Sequence, residues 1–123
     1  MSHIVEIQTE IRDPVAMGLA SERLGIPQPV QGSFALYRDS AEGWGEQLPG
    51  WKYPVVCSPE TGKLSFDHFE GRWGDPRELD RFLQAYAVEK AKLEARRQGY
   101  SVSEESLSDG SIKLVVQLDG GVS

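Results

Sequence analysis

Gly71-Arg72-Trp73-Gly74 is the stretch whose residue types and spacing point most directly to binding chemistry. An arginine and a tryptophan stand between two glycines, just before the Asp75-Pro76 start of a predicted helix. Helix N-termini carry free N–H groups and the positive end of the helix dipole, which together attract anions. Arg72 could add a bidentate contact to a phosphate or carboxylate. Trp73 could stack on a base or fill a pocket in a partner. The plainer alternative is that Trp73 folds back into the core while Arg72 covers it with its aliphatic stem. Two residues weaken the anion reading: Asp75 is a poor neighbour for phosphate, and Pro76 has no N–H.

Other residues offer weaker chemistry. His3 and His68 are the two histidines of the chain. With a carboxylate such as Asp67 they would make the three protein ligands a catalytic zinc needs, provided the first strand lies beside the hairpin of residues 51–57 and 63–69. The bland reading makes His3 a terminal polar residue and His68 a strand residue. Cys57 becomes a nucleophile only with a histidine in hydrogen-bond reach, and His68 is expected in the neighbouring strand. At the end of a β-prone run, however, a cysteine is ordinarily a small buried hydrophobe. Trp44 and Trp51 flank a glycine-rich stretch with Glu42 and Glu46; there they serve either as interface anchors or as pins holding a loop to the sheet. Lys90, Lys92, Arg96 and Arg97 are interleaved with Glu89 and Glu94, which reads as a solvated, salt-bridged helix face rather than a nucleic-acid stripe. No P-loop, dinucleotide glycine fingerprint or Ser-His-Asp pattern is recognisable.

These residues need elements to position them. Residues 3–11 alternate in part and predict a half-buried strand. Asp13-Pro14 supplies an N-cap and a proline at the first helical position, and Gly25 the stop, so a short helix lies between. Residues 33–38 predict a strand, and 39–50 a polar surface loop holding Trp44. Residues 51–57 are β-prone, with Pro54 arguing for an edge strand or a bulge. Ser58 to Gly62 is turn chemistry, and residues 63–69 complete a hairpin. Asp75-Pro76-Arg77-Glu78 opens the clearest helix, roughly 76–98, with Leu79, Phe82, Leu83, Tyr86, Ala87 and Leu93 as its apolar stripe. Residues 100–105 and 111–118 form a hairpin around Asp109-Gly110, and 119–123 is a loose tail. The expected order is β-α-β-β-β-α-β-β: an α+β domain over 1–123, an antiparallel sheet with both helices on one face. Two β-α-β-β halves hint at duplication.

Composition sets the frame. The chain has 123 residues and 39% hydrophobic content, enough for one core without staples. Its formal net charge of -6 gives no long-range attraction to nucleic acid or an anionic membrane. One cysteine allows no internal disulfide. No basic-then-apolar leader and no spanning apolar run are visible, so a cytoplasmic location is the expectation.

Three stretches carry a resemblance. Met1-Ser2-His3 with Ile11-Arg12-Asp13, Phe82-Leu83-Gln84-Ala85-Tyr86-Ala87 with Gln98-Gly99-Tyr100-Ser101-Val102, and Asp109 to Val116 resemble the domain of unknown function 1257 family of plastids and cyanobacteria. The likeness covers about the first 13 residues and 64–118; the middle, 26–57, departs from it. It implies a fold and a small intracellular protein, with no reaction, cofactor or catalytic residue. The expected function is therefore a non-enzymatic protein-interaction or assembly module, without cofactor, presenting Trp44, Trp51, Arg72 and Trp73 to a protein partner or a second copy. The alternatives are an anionic-ligand binder, such as a nucleotide binder, at Arg72-Trp73, and a metal-dependent enzyme using His3 and His68.

Overall fold

The computed structural model describes residues 4–37 and 39–118. The elements run β1 (Val5–Gln8), α1 (Pro14–Leu24), β2 (Val30–Ala35), β3 (Ser40–Glu46), β4 (Val55–Ser58), β5 (Lys63–Phe66), α2 (Pro76–Arg97), β6 (Tyr100–Ser106) and β7 (Ile112–Leu118). The fold is α+β, with antiparallel sheets. The chain divides into two compact units, Met1–Tyr86 and Ala87–Ser123, with the boundary inside α2. The tail, 119–123, lies outside the described residues.

In the first unit five strands form one sheet in the order β1-β5-β4-β3-β2. α1 starts where the Asp13 side chain accepts hydrogen bonds from Val15 N (2.9 Å) and Ala16 N (3.4 Å), and it stops at Gly25 in the left-handed conformation. Ala16, Met17 and Ala20 of α1, and Leu79, Phe82 and Tyr86 of α2, share a core with Val55, Cys57, Leu64 and Phe66. The sheet residues alternate along their strands, so both helices cover one face of the sheet. Tyr86 fastens α2 to the entry of α1: its hydroxyl accepts the N–H groups of Arg12 and Asp13, both at 3.2 Å.

Three expectations are corrected. Residues 40–46 are strand β3 rather than loop, and their glycines are packing sites. A Cβ at Gly43 would lie 2.2 Å from the Cys57 carbonyl oxygen, and one at Gly45 would lie 2.6 Å from the Phe34 ring. Pro54 precedes a central strand rather than interrupting an edge one: β4 begins at Val55 and lies between β3 and β5, so the missing N–H falls outside the ladder. The hairpin β6-β7 forms a separate two-stranded sheet, while β5 pairs with β1 and β4, so the strands of the second β-α-β-β stretch lie in two different sheets.

In the second unit β6 and β7 pair over their full length, from Tyr100↔Leu118 to Ser106↔Ile112. The turn is held by Asp109, whose carboxylate accepts Ser111 N at 2.9 Å, and by Gly110 at φ 88°. Three cations of the helix end are paired: Lys90 and Arg97 with Glu94 (both 2.8 Å), and Lys92 with Glu104 (2.6 Å). The interleaved charges are thus an ion-paired surface.

Gly43 gives a direct test of the β3–β4 packing. Gly43→Ala should cost about 3 kcal/mol, from a backbone clash at an unfavourable φ of 148°. Gly25→Ala, where a Cβ meets nothing within 4 Å, should cost only about 1 kcal/mol. Urea unfolding of the two variants measures the difference.

Candidate functional site

The residues 67–74 between β5 and α2 build the most distinctive surface of the first unit. Asp67 is fully buried and its Oδ1 accepts Phe69 N at 3.3 Å. The His68 carbonyl accepts both Gly71 N (3.0 Å) and Trp73 N (2.8 Å). To close so tightly the backbone places Phe69 and Glu70 at φ 46° and 52°, followed by Gly71 at 91°. Left-handed backbone costs an ordinary residue about 1–2 kcal/mol, so two in succession need strong tertiary support. Lys52 N donates to the Trp73 carbonyl at 2.8 Å, which ties this loop to the β3–β4 connection.

The support comes from rings. Phe69 and Trp73 stack with centroids 4.6 Å apart and planes at 26°. Tyr53 meets Trp73 edge-on at 5.6 Å, and Tyr37 lies at 5.0 Å, tilted by 55°. Two cations lie over this cluster: Lys52 Nζ is 4.7 Å from the Trp73 ring and the Arg72 guanidinium is 5.0 Å from the Phe69 ring. Trp73, Phe69 and Tyr53 are half-buried, and Tyr37 is 39% exposed. Tryptophan, tyrosine and arginine grouped at a surface are the side chains that dominate binding energy in interfaces. Trp73 neither enters the main core nor carries Arg72; it joins a surface cluster, with Lys52 on its own ring.

The remaining candidates separate. Trp51 is only 4% exposed; its Nε1–H donates to the Asp75 carbonyl at 3.0 Å and its ring meets Phe66 and His68, both at 5.8 Å. It is a core residue with no surface to offer a partner. Trp44 is half-buried on β3, packs against the core, and walls a groove of about 390 Å³ with Gln31, Glu42, Ser58 and Glu60. Trp44 and Trp51 therefore do not act as a pair. His68 lies between aromatic rings, 5.3 Å from Phe66, and its Nδ1 is buried without a partner. His3 lies outside the described residues. Among the described residues no three His, Cys, Asp or Glu side chains gather as a metal site. Cys57 pairs with Leu64, four positions before His68, roughly 13 Å along an extended chain. Its Sγ donates to the Ile11 carbonyl at 3.3 Å, and burial pushes the thiol up to about 11, away from the reactive thiolate.

The start of α2 is already occupied by the chain's own carboxylate. Asp75 Oδ1 accepts Arg77 N at 2.9 Å, the Asp75 carbonyl accepts Glu78 N at 3.0 Å, and Pro76 has no N–H. The Arg77 guanidinium closes on the same carboxylate at 2.8 Å and holds it below the usual range, through its side-chain hydrogen bonds first. No donor of the first three helical positions is left for an external anion.

Sequence reasoning missed Tyr37, Lys52, Tyr53 and Phe69 as members of the cluster; their one visible signal is an aromatic in each of three separate connections. It also misplaced Glu46, expected in the polar surface loop over 39–50. Glu46 is 1% exposed at the end of β3, beneath α1. Ser21 Oγ lies within hydrogen-bond reach of both the Met17 carbonyl (3.0 Å) and Glu46 Oε1. A hydroxyl has one proton, which Ser21 shares between the Met17 carbonyl and Glu46 Oε1, the donor to both. Burial raises this carboxyl to about 7, against the Ser21 and Gln47 hydrogen bonds.

No protein-family model, curated protein or solved structure matches the chain. Among the described residues no helix is long and apolar enough to cross a membrane.

The Glu46 proton makes stability depend on pH. The folded chain keeps this proton up to about pH 7, whereas the unfolded chain releases it near 4.5. Between those values the unfolded state binds fewer protons, so stability falls as pH rises. The contribution is complete below about pH 4.5 and lost through 7, about 3 kcal/mol in all. Glu46→Gln should lack this component and be the more stable protein at pH 8, as measured by urea unfolding across the range.

Proposed function

We propose that the protein is a non-enzymatic protein-interaction module whose binding surface is the cluster of Tyr37, Tyr53, Phe69 and Trp73 with Lys52 and Arg72. The observation that carries this reading is the convergence of four rings from three separate connections at the surface, on a loop that holds two ordinary residues in left-handed backbone. An aromatic cluster kept out of the main core at a backbone cost is the pattern of a preorganised interface. The cluster offers stacking area and positive charge, and its members hold no nucleophile with an adjacent base. Kinship with the domain of unknown function 1257 family, and a cytoplasmic setting, belong to this proposal.

The anion-binding alternative has Arg72 in its favour but has lost the helix N-terminus, whose donors Asp75 has taken. It survives only as a contact of Arg72 and Lys52 with an acidic group of a partner.

Native mass spectrometry of the untagged full chain from its own host tests the reading. The wild type should retain a polypeptide. Trp73→Ala should weaken the interaction about thirtyfold, the effect of a hot-spot residue near 2 kcal/mol, and so lower the retained fraction. Arg72→Glu, on an exposed side chain, should lower it with thermal stability unchanged. Retention that is equal in all three proteins would sink the proposal.

A further inference from the structure

The two edges of the five-stranded sheet are built differently. The β1 edge is four residues long and carries Glu6, ion-paired to Lys63 at 3.1 Å. The β2 edge is six residues long, Val30-Gln31-Gly32-Ser33-Phe34-Ala35, without a charge or a proline. Five of its six residues are exposed and Val30 is 60% exposed. Soluble proteins normally guard such an edge with lysine, proline, a bulge or a covering segment. Pairing of β2 with β3 runs unbroken from Val30↔Gly45 to Ala35↔Ser40, so no bulge turns the edge away.

We infer that β2 pairs with β2 of a second copy, antiparallel across a two-fold axis at Gly32, joining two five-stranded sheets. A two-fold perpendicular to the sheet keeps each face continuous, so paired residues must share a face. Centred on Gly32, the register sets Val30 opposite Phe34 of the second copy, Gln31 opposite Ser33, and Gly32 opposite Gly32. Val30, Gly32 and Phe34 lie on the face away from the helices, where the Phe34 ring rests on Gly45. The pairing thus matches a β-branched residue with an aromatic one twice, and a polar residue with a polar one twice. No like charges meet. A foreign strand would need its own matching pattern; the strand's own sequence already supplies it.

Each copy carries a net charge of -6, so long-range repulsion opposes this neutral contact, and salt should tighten it.

Sedimentation equilibrium of the full chain at low and high salt tests the inference. The wild type should be a monomer–dimer mixture that shifts toward dimer as salt rises. A Cβ at Gly32 meets only the Phe34 ring, at 3.8 Å, an ordinary contact, so substitutions there leave the monomer intact. Gly32→Lys puts two ammonium groups face to face and should weaken the dimer at least about tenfold. Gly32→Val should preserve it. Under mild oxidation Gly32→Cys should form an intermolecular disulfide, since Cα atoms of facing strand residues lie within bonding range; the native Cys57 is fully buried and does not compete. A monomer at every concentration, a dimer that Gly32→Lys leaves unchanged, a dimer that dissociates as salt rises, or faster crosslinking through Ser33→Cys each overturns the inference. So does a foreign polypeptide on a monomeric chain that is lost in Gly32→Lys and kept in Trp73→Ala, which would assign the edge to another partner.

Discussion

The indole of Trp51 is the contact on which the geometry of the first unit turns. Its Nε1–H holds the Asp75 carbonyl, its ring meets Phe66 at the end of β5 and His68 just beyond, and Gly74 lies so close that a Cβ there would sit 2.3 Å from the ring. One side chain thereby fixes the β3–β4 connection, the exit from β5 and the entry to α2 against each other. A buried indole that also satisfies its N–H contributes both area and orientation. The loop that displays Phe69 and Trp73 is suspended between two of those fixed points, which is why it can sustain left-handed backbone at Phe69 and Glu70. Disturbing Trp51 would therefore reach the surface cluster without any direct contact to a partner.

The aromatic residues of this chain thus divide by role. Trp51, Phe66 and Phe82 fill the core. Tyr37, Tyr53, Phe69 and Trp73 form a second cluster at the surface, where Lys52 and Arg72 lie against ring faces. A cation over a ring gains about 0.5–1 kcal/mol at an exposed site, enough to orient the side chain while leaving its charge available. Within an acidic protein this concentrates positive charge on one apolar patch, a combination suited to a partner that brings an acidic side chain next to an apolar one.

Much of this was legible in the sequence. The Asp13-Pro14 and Asp75-Pro76 helix starts, the Gly25 stop and the Asp109-Gly110 turn are local signals, each backed by hydrogen bonds within a few residues, and they read directly into structure. The α+β class followed from them. Strand β3 did not, because Ser40-Ala41-Glu42-Gly43-Trp44-Gly45-Glu46 has weak strand propensity and two glycines. Their reason lies elsewhere in the chain: the Cys57 carbonyl against Gly43 and the Phe34 ring against Gly45. Glu46 was misread for the same cause, since nothing local shows that Ser21, 25 residues away, covers it. At the surface cluster Arg72 and Trp73 were visible as a pair between glycines, whereas Tyr37, Tyr53 and Lys52 join them only through the folding of distant loops.

Glycine also explains why this sheet is open on one side. At Gly43 and Gly45 of β3 it lets neighbouring groups come closer than any side chain would permit, and at Gly32 of β2 it leaves the outer strand flat and uncluttered. Phe34 uses that room, lying over Gly45 and within ordinary contact of Gly32. Among the described residues no strand pairs with the outer side of β2. A strand that is neutral, straight and unshielded is costly to keep in solution as a monomer over evolutionary time, and charge is the device the chain uses on its opposite edge, at Glu6 and Lys63. Because that device is missing from β2, the edge is better understood as a surface meant to be paired than as one left unguarded.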